Sequence, residues 1–261
     1  MRLISAAVSD VGPHREVNQD AAFVAPWGAA VADGVGGGPA GDLASATILH
    51  RLTAGWHGVD DVDELSERVR SANWDLRARV DEDPVLDGMA TTLTGLIVSR
   101  AGRPLLVHCG DSRAYRLRSG LLTRQTRDDS LVQALVDQGI IAPEEAATHP
   151  RRNIVTASLG GAEDDHVRVD DADAAAGDRW LLCSDGVSDY LPDEAIRTVL
   201  ETATDARVAA RALVALAIEA GTRDNVTAVV CDVVSGEPEA APPHFAGSAA
   251  VLFDEILEET A

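Results

Sequence analysis

Short turns between strand-like runs, helices that arrive in pairs, and no strict strand–helix alternation predict an α+β fold built on antiparallel sheets for this 261-residue chain. The turn-forming pairs Ala101-Gly102 and Ser119-Gly120 are too short for a parallel crossover, which takes about a dozen residues or more. A doubly wound parallel sheet is therefore excluded.

In chain order, strand-like runs cover residues 3–9, 21–25 and 28–32, after which the apolar positions switch to helical spacing. One helix opens after Pro39. A second carries Val62, Leu65, Val69, Leu76 and Val80 on one face, at steps of three and four. Strands return at 92–98, 104–109, 114–117 and 121–122. From 128 to 161 the pattern is looser: a short helix over 131–138 stopped by Gly139, another near Pro143, then the basic His149-Pro150-Arg151-Arg152. That stretch reads as an insertion over one edge. A strand over 178–184 precedes two helices, the second over 206–220 with Asp205 as N-cap and Gly221 as its stop. Residues 226–234 are predicted as the last strand. The chain thus divides into a domain over 1–235 and an acidic tail over 236–261. In the tail, a Pro- and Ala-rich link (237–243) leads to an amphipathic helix over 248–259, with Leu252, Phe253, Ile256 and Leu257 on one side. The tail is expected to dock on its own domain or to fray, the sharper alternative being an acidic peptide that regulates the domain or recruits a partner.

Hydrophobic residues make up 46% of the chain, enough for a globular core. A formal charge of -21 and a pI near 4.5 exclude a nucleic-acid groove or an anionic membrane surface as partner, because both would repel it. No apolar run is long enough to cross a bilayer, and the N-terminus reads as a strand rather than a signal core, so a cytoplasmic location is expected. Cys109, Cys183 and Cys231 sit in apolar runs without a CxxC pair and read as buried reduced thiols. His108 reads as a satisfied core imidazole and His14 as a loop residue beside Arg15; none of the histidines follows HxxxH ligand spacing.

Chemistry concentrates in four pairs at strand ends: Asp33-Gly34, Asp111-Ser112, Asp185-Gly186 and Asp224-Asn225. Taken singly, each is an ordinary turn. Together, with Arg15, Asn18 and Asp20 in REVNQD before another strand, they predict carboxylates converging on hard divalent cations. Two such ions about 4 Å apart repel by roughly 17 kcal/mol at an effective dielectric of about 20, so several carboxylates must lie around them. A water bridging two metals loses its proton near neutral pH and becomes a nucleophile. A rival reading starts from Gly36-x-Gly38-x-x-Gly41, which follows a strand, opens a helix and has Asp60 and Asp61 about twenty residues on, as in dinucleotide-binding folds. The segment that should present those acids as a parallel strand is instead helical in pattern.

Six segments in order, Arg15-x-x-Asn18-Gln19-Asp20, Ala32-Asp33-Gly34-Val35-Gly36-Gly37, Thr91-Thr92-Leu93, Gly110-Asp111-Ser112-Arg113-Ala114-Tyr115, Leu182-Cys183-Ser184-Asp185-Gly186-Val187 and Asp224-Asn225-Val226-Thr227, resemble the motifs of the metal-dependent Ser/Thr protein phosphatases of type 2C, bacterial branch. The resemblance runs from about residue 3 to 234. It implies two antiparallel sheets packed face to face with helix pairs outside, and hydrolysis of phosphoserine and phosphothreonine by a hydroxide bridging two Mn²⁺ or Mg²⁺ ions. By the same resemblance, Asp33 bridges the ions, the Gly34 carbonyl helps hold the second, and Asp185 and Asp224 complete the first site. Asp20 acts through waters, Asp111 joins Asp185 in a looser third site, and Arg15 takes the substrate phosphate, as suits a guanidinium fork. Residues of about 126–160 correspond to a flap, where Arg151 and Arg152 are surface charges or substrate contacts. The implied partners are phosphoproteins, namely Ser/Thr kinases and their substrates. Gln19 stands where the family often has Glu, Val35 and Gly38 where relatives carry histidine, and Ala157 where relatives often have arginine. A non-catalytic phosphoprotein-binding pseudophosphatase is the alternative.

Overall fold

The structure, a computed structural model, describes residues 1–35 and 40–252. Twelve strands and seven α-helices alternate in clusters among these residues. They are β1 (Arg2–Asp10), β2 (Asp20–Ala25), β3 (Gly28–Val35), α1 (Gly41–Thr53), α2 (Val62–Glu82), β4 (Ala90–Thr91), β5 (Leu93–Val98), β6 (Pro104–Cys109), β7 (Arg113–Arg118) and β8 (Leu121–Arg124). The chain continues through α3 (Leu131–Asp137), α4 (Pro143–Ala146), β9 (Arg168–Asp171), β10 (Arg179–Cys183), α5 (Asp185–Ser188), α6 (Asp193–Thr202), α7 (Ala206–Glu219), β11 (Val226–Val234) and β12 (His244–Gly247).

One sheet runs β1-β11-β10-β7-β8, the other β12-β2-β3-β5-β6-β9 with β4 on β3, and every pairing is antiparallel. Three cores make four layers. Leu3, Ala22, Ala29, Val31, Leu96, Trp180, Leu182, Val229 and Cys231 fill the seam between the sheets. Leu49, Leu65, Val69 and Leu76 of α1 and α2 pack on the outer face of the larger sheet, with Phe23 and Leu93. Ile196, Leu213 and Ala217 of α6 and α7 pack on the smaller sheet, with Tyr115 and Leu181. The α+β class and the α-β-β-α layering are as expected. Burying an amphipathic face, not intrinsic propensity, holds these helices.

Local chemistry fixes several boundaries. Asp61 caps α2 by accepting from the Glu64 amide at 3.0 Å, and Asp205 caps α7 by accepting from the Val208 amide at 2.9 Å. Gly221 follows α7 in the left-handed region, φ 84°. Asp60 pairs with Arg100 at 2.6 Å. With Asp61 used as a cap, Asp60 on a surface arginine and all strands antiparallel, the dinucleotide reading is set aside; its Gly36 and Gly38 lie outside the described residues.

Two expectations are corrected. Residues 226–234 are not the last strand: β12 adds to the free edge of β2, with Phe245 opposite Phe23 and Gly247 opposite Ala21. Three helices rather than two separate β10 from β11, because Asp185 opens the one-turn α5 directly at the strand end. The sequence pattern also passes over β9, which contributes a single buried apolar residue, Val169. Residues 248–252 are helical, while Phe253, Ile256 and Leu257 of the expected tail helix lie outside the described residues. Among the described residues no helix is long and apolar enough to cross a membrane.

Candidate metal centre

Strand register brings the acidic residues to one end of the sandwich. In the smaller sheet Asp10 lies opposite Val226, and Cys183 pairs with both Ala228 and Arg113. The loops before Val226 and after Cys183, which carry Asp224 and Asp185, therefore meet at that end. In the larger sheet Asp20 sits directly across from Asp33, and Leu93 across from Cys109. Two connections cross between the sheets at this same end: residues 11–19, which carry Arg15, and residues 110–112, which carry Asp111.

The glycines following these aspartates permit the approach. A Cβ on Gly34 would lie 2.5 Å from the carbonyl carbon of Gly41 at the start of α1. A Cβ on Gly186 would fall onto the Asn225 carbonyl oxygen and 3.0 Å from its carbon. Only hydrogen at these positions lets the Asp33 strand meet α1, and the Asp185 turn meet the Asp224 loop.

Buried hydroxyls and one amide hold the loops. Thr92 Oγ1 accepts from the Asp33 amide at 3.0 Å and shares a proton with Ser112 Oγ at 2.6 Å, tying the Asp33 and Asp111 segments together. Ser184 donates to Asp20 Oδ2 at 2.7 Å across the two sheets. Asn225 accepts from the Gln19 amide at 2.9 Å and donates to the carbonyls of Val11 and Val17 at 2.9 and 3.0 Å, pinning the Arg15 loop. Sequence reasoning gave none of Thr92, Ser112, Ser184 or Asn225 a role; their place inside otherwise recognisable motifs was the signal.

Electrostatics shows the convergence. The Asp33 acid is held well above its ordinary range, first by burial and then by the charges of Asp20, Asp185, Asp111 and Asp224. Asp185 is raised likewise, by burial and then by Asp111, Asp224, Asp189 and Asp20. Burial pushes Asp20 up to about 6 against the hydrogen bond from Ser184, and pushes Asp111 up to about 7 with help from Asp128 and Asp189. All five predicted carboxylates thus share one field. Among the described residues no three His, Cys, Asp or Glu side chains close into a ready-made ion cage. Asp20 Oδ1 is nonetheless buried with no hydrogen-bond donor. An orphaned buried carboxylate oxygen inside a ring of raised acids fits a hard divalent cation, whose preferred donors are carboxylate oxygens.

The raised acids set a pH signature. Their folded values lie above the ordinary 3.8, so the native state keeps protons that the unfolded chain has released. Stability of the chelated protein should therefore fall as pH rises from about 4 through about 7, the reverse of a salt-bridged aspartate. Melting curves in chelator between pH 5 and 8 check this, with excess Mn²⁺ expected to flatten the slope; a chelated protein that gains stability over that range would contradict it.

Arg15 is exposed at the mouth, its Nη2 2.7 Å from Asp224 Oδ2. The predicted phosphate clamp and a predicted metal ligand thus hold each other. Gln19 turns its side chain toward α1, where its Nε2 would lie 2.9 Å from a Cβ on Gly41. The segment expected to form a flap carries α3 and α4; its Arg152 reaches Asp189 at 3.8 Å, while Arg151 is exposed. Arg113 grips Asp128 through contacts of 2.8–3.1 Å beside Asp111, another neighbour the sequence did not reveal. His108 is the satisfied core imidazole expected, bonded to Thr94 Oγ1 and the Arg127 carbonyl at 2.9 Å each, with burial lowering its pKa. All three cysteines are buried and unpaired, and burial pushes each thiol up to about 12.

No family model matches the chain. It is 44% identical over 247 residues to the serine/threonine protein phosphatase PstP of Mycobacterium tuberculosis, which spans 93% of this chain and 47% of that protein. To the protein phosphatase PhpP of Streptococcus pneumoniae it is 30% identical over 243 residues, 89% of this chain and 98% of PhpP. The chain belongs to the bacterial metal-dependent Ser/Thr protein phosphatases, the PPM family. Membership in the PPM family accounts for the layering: the PstP catalytic domain in complex with two manganese ions superposes with a TM-score of 0.79 at 41% identity, covering 90% of this chain and 99% of that one. The chain spans about half the length of the mycobacterial PPM relative.

Proposed function

We propose that this chain is a metal-dependent phosphoprotein phosphatase that hydrolyses phosphoserine and phosphothreonine. The observation that carries the reading is the meeting of Asp20, Asp33, Asp111, Asp185 and Asp224, drawn from both sheets, beneath an exposed arginine. Asp33, the Gly34 carbonyl, Asp185 and Asp224 would hold two Mn²⁺ or Mg²⁺ ions, with Asp20 outside them and Asp111 with Asp185 offering a looser third position. When bound, the ions supply the positive charge that makes water nucleophilic and neutralises the phosphoryl oxygens, the largest contribution a monoester hydrolase needs.

The chain's own residues do the rest. Arg15 and Asp224 form a partly exposed pair, worth about 1 kcal/mol at most, so the guanidinium can turn to an incoming phosphate at little cost. Asn225 fixes the loop on which that arginine rides. Ser184 aims the Asp20 carboxylate, and the hydroxyls of Thr92 and Ser112 hold together the backbone segments that carry Asp33 and Asp111, before any substrate arrives. Hydrolysis breaks the bond between phosphorus and the serine or threonine oxygen, forms one to a water oxygen, and delivers a proton to the departing alkoxide. The intact carboxylate set speaks for turnover over a non-catalytic binder. Ser/Thr kinases and their substrates are the proposed partners, and the bacterial cytoplasm the proposed setting, supported by three unpaired thiols.

The test is release of phosphate from phospho-Ser, phospho-Thr and phospho-Tyr peptides with Mn²⁺, with Mg²⁺ and in excess chelator. Turnover of the first two only with metal is expected; full activity in chelator, or Mn²⁺ binding without turnover of any peptide, would overturn the proposal. In the same assay Arg15→Ala should raise KM about tenfold or more with kcat nearly kept, since it removes charge-assisted bonds made equally in ground and transition states.

A further inference from the structure

The tail passes directly behind the metal centre. After Ser235 the chain crosses Trp27, whose Nε1 donates to the Ala241 carbonyl at 3.0 Å, and then pairs as β12 with β2. Phe245 lies over the His50 ring at 4.2 Å between centroids, and the Ala249 carbonyl meets His50 Nε2 at 2.8 Å. Between these anchors sit Gly247 and Ser248. Gly247 has φ 67°, and a Cβ there would strike the Asp20 carbonyl oxygen. Ser248 is 4% exposed; its Oγ lies 3.1 Å from that same carbonyl and 2.9 Å from Ser45 Oγ. Ser45 in turn donates to the Gln19 carbonyl at 2.6 Å. Each hydroxyl has one proton: with Ser45 donating to Gln19, Ser248 is left to donate to Asp20 or to Ser45. Two buried serines, one from α1 and one from the tail, thereby sit against the consecutive carbonyls of Gln19 and Asp20.

We propose that residues 244–252 form a built-in clamp on the metal centre, with Ser248 as a positioning residue that fixes the Gln19-Asp20 backbone from behind. The clamp reaches no substrate. It sets where the Asp20 carboxylate stands, and through the direct cross-strand pairing of Asp20 with Asp33 it sets the strand carrying the central acid. Outer contacts of this kind orient ligands and tune affinity for the ion. The inference rests on the reading of these aspartates as the ion-binding set.

Mn²⁺ titration calorimetry on the full chain tests it, with metal-free melting curves alongside. Ser248→Ala should weaken Mn²⁺ binding about tenfold, Ser248→Thr should restore it to within about twofold, and Gly247→Ala should weaken it at least as much as Ser248→Ala. Asp33→Asn is the internal reference. If Asp33→Asn loses Mn²⁺ while Ser248→Ala and Gly247→Ala bind as wild type, the clamp is refuted and the metal centre stands. If Asp33→Asn also binds as wild type, the metal centre falls and takes the clamp with it. A lower metal-free melting temperature with unchanged Mn²⁺ affinity in both tail variants would mark ordinary packing and overturn the proposal.

Discussion

Asp33→Asn is expected to lower Mn²⁺-dependent phosphatase turnover by about a thousandfold or more and, in the same protein, to raise the melting temperature measured in chelator. The loss follows from removing the acid on which four other carboxylates converge, where electrostatic stabilisation of the transferred group is concentrated. The gain follows from the same crowding. Near neutral pH the native protein must either keep a proton on Asp33 or bring a further charge into a buried acidic ring, and an amide of the same shape does neither. Excess Mn²⁺ should stabilise the wild type by mass action and leave the variant nearly unchanged. Paired melting curves with Mn²⁺ and with chelator read both effects at once. A variant that melts lower than wild type in chelator, or keeps wild-type turnover, would remove Asp33 from the centre.

Gly186→Ala should be severely damaging for a single methyl, costing about 3 kcal/mol and lowering the melting temperature by roughly 6–12 °C for a chain of this size. The added carbon would collide with the backbone carbonyl of Asn225, which no rotamer change can relieve. Relief means separating the Asp185 turn from the Asp224 loop, so Mn²⁺ affinity should fall along with stability. Gly177→Ala is the control: a Cβ there meets open space, and only its φ of 98° imposes strain, about 1 kcal/mol. If the two variants match in melting temperature and Mn²⁺ affinity, close packing at Gly186 does not set the spacing of the acids.

Features governed by local periodicity were legible in the sequence. The apolar stripe of α2, the caps at Asp61 and Asp205, and the hairpins forced by short turns depend on neighbours within a few positions. The strand-end aspartates were legible because their spacing along the chain matched strand boundaries. What escaped depends on partners far away in sequence. β12 has four residues behind a proline-rich link, and its signal is the free edge of β2, over 200 positions earlier. The bond from Ser184 to Asp20 and the contact between Gly186 and Asn225 exist only once the two sheets are stacked. Arg15 resting on Asp224 likewise follows from two loops meeting, which no motif spacing encodes.

The place of β1 at the edge of the smaller sheet carries a consequence for synthesis. Among the described residues its sole sheet neighbour is β11, with Arg2 opposite Val234 and Asp10 opposite Val226. On the ribosome, β1 emerges long before β11 and must wait for nearly the whole domain before it finds its mate, and such long-range closure is slow. Nascent polypeptides ending before residue 226 would thus display an unmatched β1 ribbon and leave the proposed metal centre unassembled, so that any function resting on it would arrive in one late step rather than accumulate during translation.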